Sequence, residues 1–523
     1  MLYLISNWHE KSVLEEDKIY TLSNFFSEEA FDNQVVLLNY IPFLRYKLNE
    51  SGSGLTSVIS VFDICQNIKT TVGFPLGVED LAIPKEIDKI YLSDRTLLVK
   101  DDKVIGRVSY NDYGFISSVR HLKDNGAFTE DIYDDRGFVS ARYHGEEKED
   151  EEEGVYEDVY TIEYFNELGD HTLTLIGGKV FVGRAHHPYL KKRQYGSLDE
   201  AINDVVKQLI GEAAAANPAS RLSIITTTDP EVRQKTKELS HAGQIIRIMT
   251  DDSVADMGEE ARLVTDTKVH GTLADDQSGI SYMPIFLPKL NLGASDSVPL
   301  KTIYLKLPSF KAEEKIMRSI LEKVIKDETL SLICEMDSHE SISQATNLQT
   351  RLIEQHFEIE THSDTYEAVE TYIMAKREDK LFKQQSDAVK EIQKSDAWAN
   401  YVGAVDANSR ISYLSQLNLY EVEEIFGKAR LYIDFEAQYH MLRHTKAVSA
   451  GVPIISTHTS DFIIEGKNGV VLTTDEKEKE VNEAIDYFIY HLKNWNQALV
   501  CAIDIIEAYE PDRMMEKWQE VIR

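Results

Sequence analysis

The sequence predicts an α/β protein with two Rossmann-like domains, each a parallel sheet covered by helices, and an antiparallel β-sheet domain inserted into the first. Three observations predict it. Short apolar runs bounded by turn residues alternate with stretches of helical spacing near the N-terminus and from residue 186 onward. Between residues 94 and 185 the texture changes to short β-rich runs separated by tight turns. Near the C-terminus, Leu431–Ile455 reads as a buried strand, a loop, a short helix over Arg443–Ser449, a tight turn at Gly451 and a second buried strand.

In chain order, Leu2–Ser6 is an apolar strand followed by Asn7, Trp8 and His9, at the strand end where open α/β sheets gather their ligands. Trp8 is either a platform for a sugar ring or a residue packed under the first helix. The spacing of Phe31, Val35 and Leu38 predicts a helix within residues 27–47, and Ser57–Phe62 reads as the next strand. This first part of domain I spans 1–93, and the extended β-sheet domain spans 94–185. Domain I resumes over 186–300. Ser197 and Glu200 form a capping-box pattern for a helix running to Ala216. Strands follow at Leu222–Thr226, Gln244–Met249 and Arg262–Asp266, with a helix at Pro230–Ser240. Domain II, 301–505, opens with strand Lys301–Lys306, helix Ala312–Lys326 and strand Leu330–Cys334. A helical midsection, a strand at Trp398–Val402 and a helix at Leu419–Gly427 are expected next. Residues 506–523 form a crossover helix, amphipathic through Met514, Trp518 and Val521.

With 523 residues the chain has room for two or three cores. A net charge of −33 argues against a nucleic-acid binder, because phosphate contacts need lysine and arginine. Local basic patches stay open, for instance Lys191-Lys192-Arg193. Residues 145–158 hold nine carboxylates against Lys148 alone. They lack the ligand and glycine spacing of a calcium loop and read as a solvated, mobile hairpin tip. Cys65, Cys334 and Cys501 fit no metal or redox spacing and suit a reducing compartment. His186-His187 has no obvious metal-ligand partners and reads as a loop. The N-terminus lacks a basic n-region, and no apolar stretch is long enough to span a bilayer. A cytoplasmic protein is expected, with at most peripheral contact at the inner face of the membrane. No metal and no cofactor are expected.

The Leu431–Ile455 segment resembles the donor-sugar domain of a GT-B glycosyltransferase, and in particular the Glu-x7-Glu region of retaining, family-four-type enzymes. Laid over that pattern, the first glutamate falls on Gln438 and the second on Lys446, and Tyr439-His440-Met441 replaces Gly-Phe-Gly. In the family the two carboxylates contact the donor. Gln438 carries no charge, Lys446 is donor-only, and the lost glycines block close backbone approach to a phosphate. The resemblance therefore implies a preserved frame without transferase activity. The degenerate cleft's candidate carbohydrate-binding residues are Asn7, Trp8, Gln438, Tyr439, His440 and Lys446. No residue is assigned a catalytic role.

A narrower resemblance rests on Asp134-Asp-Arg-Gly-Phe-Val-Ser140, Tyr164-Phe-Asn-Glu-Leu-Gly169, Pro288-Lys-Leu-Asn-Leu-Gly-Ala-Ser295, Ile5-Ser-Asn-Trp8 and Phe31-Asp-Asn-Gln34. In order and spacing these resemble the first of the three accessory secretory proteins of the accessory Sec system of streptococci and staphylococci. The resemblance implies a complex with the other two components that engages the accessory SecA ATPase. It further implies help in exporting a glycosylated serine-rich repeat adhesin, with the old cleft reading its N-acetylglucosamine. Two alternatives stay open. One is an active or subunit-type glycosyltransferase using a nucleotide sugar, with His440, Arg443 and His444 assisting a phosphate. The other is a scaffold that binds no glycan. Glu421, Glu423 and Glu424 read as the exposed face of their helix.

Overall fold

The structure is a computed structural model. It describes all residues except 1, 53–56, 151–153, 184–186, 217–221, 237–238, 240–242, 251–260, 268–279, 296, 437–440 and 523, and the side chains of 148–150 and 154–157. The chain divides into two compact units. One is Met1–Asp266, Leu273–Ile285 and Met515–Arg523; the other is Thr267–Thr272 and Phe286–Met514.

The first unit holds a seven-stranded parallel sheet. Its spatial order is Ile280–Tyr282, Ala261–Thr265, Gln244–Ile248, Ser223–Thr227, Leu2–Ser6, Asn33–Leu37 and Val58–Ser60. The chain leaves the central strand Leu2–Ser6 in one direction, then returns to its other side through Ser223–Thr227. The topological switch point therefore lies between these two strands. Leu2–Ser6 is buried along its whole length, as a strand covered on both faces must be. Tyr3, Ile5, Val36 and Ile224 form one core with Ala201, Ile202, Val205, Val206 and Ile210 of helix Leu198–Ala216. The helix at Lys18–Glu28 contributes Phe26, which meets Trp518 edge-on with ring centroids 5.7 Å apart. Trp518 belongs to the C-terminal helix Pro511–Ile522. The last carbonyls of that helix lack intrahelical donors. Ser223 Oγ donates to Ile522 O at 3.0 Å, Gln244 Nε2 to Val521 O at 3.1 Å and Arg262 Nη1 to Glu520 O at 3.2 Å.

Two expectations for this region need correction. Residues 27–47 are not one helix: Asn33–Leu37 is a buried strand, flanked by helices Lys18–Glu28 and Leu44–Glu50. The apolar run Val35–Leu38 is continuous, and a short continuous run fits a doubly covered strand as well as a helix face. Ser57–Phe62 contains the strand Val58–Ser60, after which the chain turns into helix Val61–Cys65, with Ser60 Oγ accepting from Asp63 N.

The antiparallel sheet has ten strands in sequential order, from Asp88–Tyr91 through Gln194–Tyr195. The acidic run lies largely in its longest hairpin, where Val139–Asp150 pairs with Gly154–Phe165. Of the run's carboxylates, Glu147 lies 3.4 Å from Arg107 and 3.6 Å from Arg120. The tip residues 151–153 fall outside the described residues. The Asp134–Ser140 motif is the turn that fastens this sheet to the helices beside it. Arg136 forks between Asp134 (2.6 and 2.8 Å) and Asp63 (2.8 and 2.9 Å). Asp135 accepts from Arg45 N at 2.9 Å and Arg45 Nε at 2.7 Å. Gly137 has φ +90°, and a Cβ there would stand 2.5 Å from Phe74 O. Only glycine fits such an approach.

The second unit holds a six-stranded parallel sheet in the order Ile411–Leu414, Leu330–Glu335, Lys301–Lys306, Ala429–Asp434, Ile454–Ser456 and Gly469–Val471. Its switch point lies between Lys301–Lys306 and Ala429–Asp434. The expected strand at Trp398–Val402 is instead the start of helix Trp398–Ser409, and the strand comes later, at Ile411–Leu414. Ala404, Val405 and Ala407 are buried in the core, against which Trp398 and Tyr401 pack. At Gly403 a Cβ would meet Phe357 Cε1 at 2.5 Å. That close crossing of two helices explains a glycine inside a helix.

The Pro288–Ser295 motif lies over the end of helix Met441–Ser449. Asn291 N donates to Ser449 O at 3.1 Å, Gly293 N to Ala450 O at 3.2 Å and Ala294 N to Gly427 O at 2.8 Å. Gly451 then turns the chain in the left-handed region, with φ +72°.

Candidate functional site

The switch point of the second sheet is where an open α/β sheet presents its strand ends to a ligand. Here three neighbouring strands end in charge: Lys306, Glu335 and Asp434. An apolar strand buries its charged end only if a partner compensates it. Lys306, 4% exposed, reaches Glu335 at 3.1 Å, Asp337 at 2.6 Å and Glu436 at 3.7 Å. Arg443, from the first turn of helix Met441–Ser449, grips Glu335 with two parallel bonds, Nη1 to Oε2 at 2.6 Å and Nη2 to Oε1 at 2.9 Å. It also donates to the Tyr304 hydroxyl at 2.6 Å. His444 Nε2 lies 2.8 Å from Asp434 Oδ2, and both side chains are fully buried. His458, after the next strand, meets Glu436 O at 2.8 Å.

Burial alone would raise the Glu335 carboxyl, but the Arg443 guanidinium, the Tyr304 hydroxyl and Lys306 hold it below the usual range. Burial likewise opposes ionisation of Asp434, and the hydrogen bond and charge of His444 reverse the effect. The two permanent cations at these strand ends, Lys306 and Arg443, thus face three carboxylates, Glu335, Asp337 and Glu436, while Asp434 is paired with His444. A diphosphate is held by cations whose donors point at it. At this edge the cations point at carboxylates.

Of the residues named from the sequence, Lys446 sits on the same helix and pairs with Glu423, one turn before the end of helix Leu419–Phe426. Gln438, Tyr439 and His440 lie outside the described residues. Asn7 follows the central strand of the first sheet, and its carbonyl accepts from Asn39 Nδ2 at 2.6 Å. Trp8 is 2% exposed and meets Tyr20 edge-on at 5.9 Å, so it is the core residue of the two readings. Arg443 and His444, considered as phosphate contacts, are instead committed to Glu335 and Asp434. Glu421 caps its helix through Asn418 N, and Glu424 pairs with Lys428, as an exposed face does.

His187 has a structural role: its Nε2 donates to Ile64 O at 2.9 Å and its Nδ1 accepts from Leu190 N at 2.9 Å. His186 lies outside the described residues. All three cysteines are buried and free, and burial pushes the Cys65 thiol up to about 12. Among the described residues no metal-ligating cluster occurs, and no helix is long and apolar enough to cross a membrane.

The strand-end charges were missed in the sequence. Their signal is a charged residue closing an otherwise apolar run, in Thr302-Ile-Tyr-Leu-Lys306, Leu332-Ile-Cys-Glu335 and Leu431-Tyr-Ile-Asp434.

The family profile of the accessory Sec system protein, accessory secretory protein 1, matches residues 4–523. The chain belongs to that family. A relative of the same description from Streptococcus gordonii is 23% identical over 539 residues, spanning 97% of this chain and 93% of that protein. In the crystal structure of accessory secretory protein 1, 2 and 3 from Streptococcus pneumoniae, one chain superposes with a TM-score of 0.75 at 19% identity, covering 100% of this chain and 99% of that one. The pneumococcal O-GlcNAc transferase GtfA, solved with UDP and GlcNAc, gives a TM-score of 0.66 at 10% identity, covering 100% and 98%. The fold is therefore of the GT-B glycosyltransferase type, with its antiparallel extension.

Proposed function

We propose that this family member is a non-catalytic adaptor of accessory Sec export. It assembles with the second and third accessory secretory proteins and, with them, presents a glycosylated serine-rich repeat adhesin to the accessory SecA ATPase. It works on the cytoplasmic side, with at most peripheral membrane contact. Its reading of the cargo is through N-acetylglucosamine, with Asn7, Gln438, Tyr439, His440 and Lys446 as candidate contacts. Buried Trp8 is no longer among them. Assembly is supported by the likeness to a chain solved together with its two sister proteins.

The observation that carries the loss of catalysis is the closed charge network at the strand ends of the second sheet. Retaining sugar transfer needs groups that stabilise a departing diphosphate. Lys306 and Arg443 are held by carboxylates that would repel one. The test is calorimetric titration of the full chain with N-acetylglucosamine oligomers, alongside a turnover assay with UDP-N-acetylglucosamine. Binding of the oligomers without turnover is expected. Measurable transfer or steady hydrolysis of the nucleotide sugar would sink the non-catalytic reading, and silent oligomers would sink glycan reading.

A further inference from the structure

In the first unit, the strand Gln244–Ile248 is buried beyond Gln244 and carries one charge, Arg247, which is 8% exposed. The other buried lysines and arginines have evident compensation. Lys235 pairs with Glu231, Lys306 with Glu335 and Asp337, Arg443 with Glu335, and Arg410 with Asp406 and three carbonyls, while Arg430 lies on the Trp495 ring at 3.5 Å. Arg247 differs. Among the described residues it has no carboxylate partner, and its Nη1 has only the Thr227 carbonyl, at 3.4 Å. The charge acting on it is another cation, Arg233 of helix Pro230–Lys235. Burial, and then Arg233, both disfavour its charged form.

A buried guanidinium with no carboxylate beside it is costly unless an anion compensates it. Thr226 is the registered neighbour of Arg247 on the adjacent parallel strand, so both side chains lie on one face. Its Oγ1 is buried with no hydrogen-bond partner. The pair stands at the C-terminal half of both strands, one strand from the switch point of this sheet. A guanidinium fork and an unused hydroxyl side by side are donors that a phosphate-type oxyanion takes.

We infer that Arg247, with the Thr226 hydroxyl, forms a binding site for a small phosphate-type oxyanion. The net charge of −33 makes general attraction of anions unfavourable, so binding arises from this local donor set.

The test uses the full chain and inorganic phosphate, with chloride at matched ionic strength as control. Ligand that binds only the folded state raises the unfolding midpoint. The wild-type midpoint is expected to rise saturably with phosphate. Arg247→Met, which keeps an apolar stem and removes the unpaired charge, is expected to unfold at a higher temperature in chloride and to bind phosphate at least about tenfold more weakly. Arg247→Lys is expected to retain part of the response. A wild-type midpoint indifferent to phosphate overturns the inference. So does an Arg247→Met protein that keeps the full increment, or one less stable than wild type in chloride. Phosphorus NMR of phosphate titrated with wild-type protein gives a second reading that needs no variant. Saturable line broadening supports the site, and unchanged lines refute it.

Discussion

Arg443 and Glu335 form a two-point ion pair, at 2.6 and 2.9 Å, in a place where Glu335 is 2% exposed. The pair joins the first turn of helix Met441–Ser449 to the end of strand Leu330–Glu335. Breaking such a pair leaves an uncompensated buried charge. Arg443→Met is expected to destabilise the chain by about 3 kcal/mol, the low end for a buried pair because Lys306 still serves Glu335. Urea unfolding checks it. A loss below about 1 kcal/mol would show that the network is slack.

The Asp434–His444 pair makes a pH prediction. The folded Asp434 carboxyl is held below its unfolded value, so the stability it contributes is fully present above about pH 4 and is lost as pH falls through the folded value. Asp434→Asn is therefore expected to lower stability at pH 7, with the gap to wild type closing below about pH 4. Parallel unfolding curves for the two proteins at every pH would contradict this assignment.

The Gly137 turn should tolerate no side chain. With φ +90° and Phe74 O at 2.5 Å from a built Cβ, Gly137→Ala is expected to cost about 1–3 kcal/mol. Hydrogen exchange should quicken first in strands Ala127–Tyr133 and Val139–Asp150, which the turn joins.

Most of the fold was legible in the sequence because its cores are patterned. The buried runs Leu2–Ser6, Lys301–Lys306 and Ala429–Asp434, and the hairpins of the antiparallel sheet, announce themselves by composition. Asn33–Leu37 and Trp398–Ser409 are ambiguous in sequence because short, mostly apolar stretches such as Val35–Leu38 and Trp398–Val402 fit either period, and neighbours decide which. Phe357 under Gly403 is such a neighbour, and it lies far away in sequence. The candidate site was only half legible. Lys446 was found through the family pattern, but its partner Glu423 and the Lys306–Glu335–Arg443 network depend on which strand ends meet. The motifs that carried the family resemblance turn out to be fastenings: Asp134–Ser140 holds the antiparallel sheet, and Pro288–Ser295 covers a helix end.

The C-terminal helix makes a fourth prediction. Trp518 is fully buried against Phe26, and three side chains from the first sheet cap the helix's last carbonyls. Trp518→Ala is expected to cost about 3–5 kcal/mol and to be seen as an earlier unfolding transition. An unchanged midpoint would mean that this helix adds little to the first unit.

The strand-end cations of the second sheet are already spent on carboxylates. The most direct measurement is calorimetric titration of UDP-N-acetylglucosamine into wild type and into a Glu335→Gln, Asp337→Asn double variant. Wild type is expected to show no saturable binding, and the variant, with Arg443 released and Lys306 left with Glu436 alone, to gain weak binding. Saturable binding by wild type, undiminished by salt, would contradict this and mean that the strand-end cations remain free for a diphosphate.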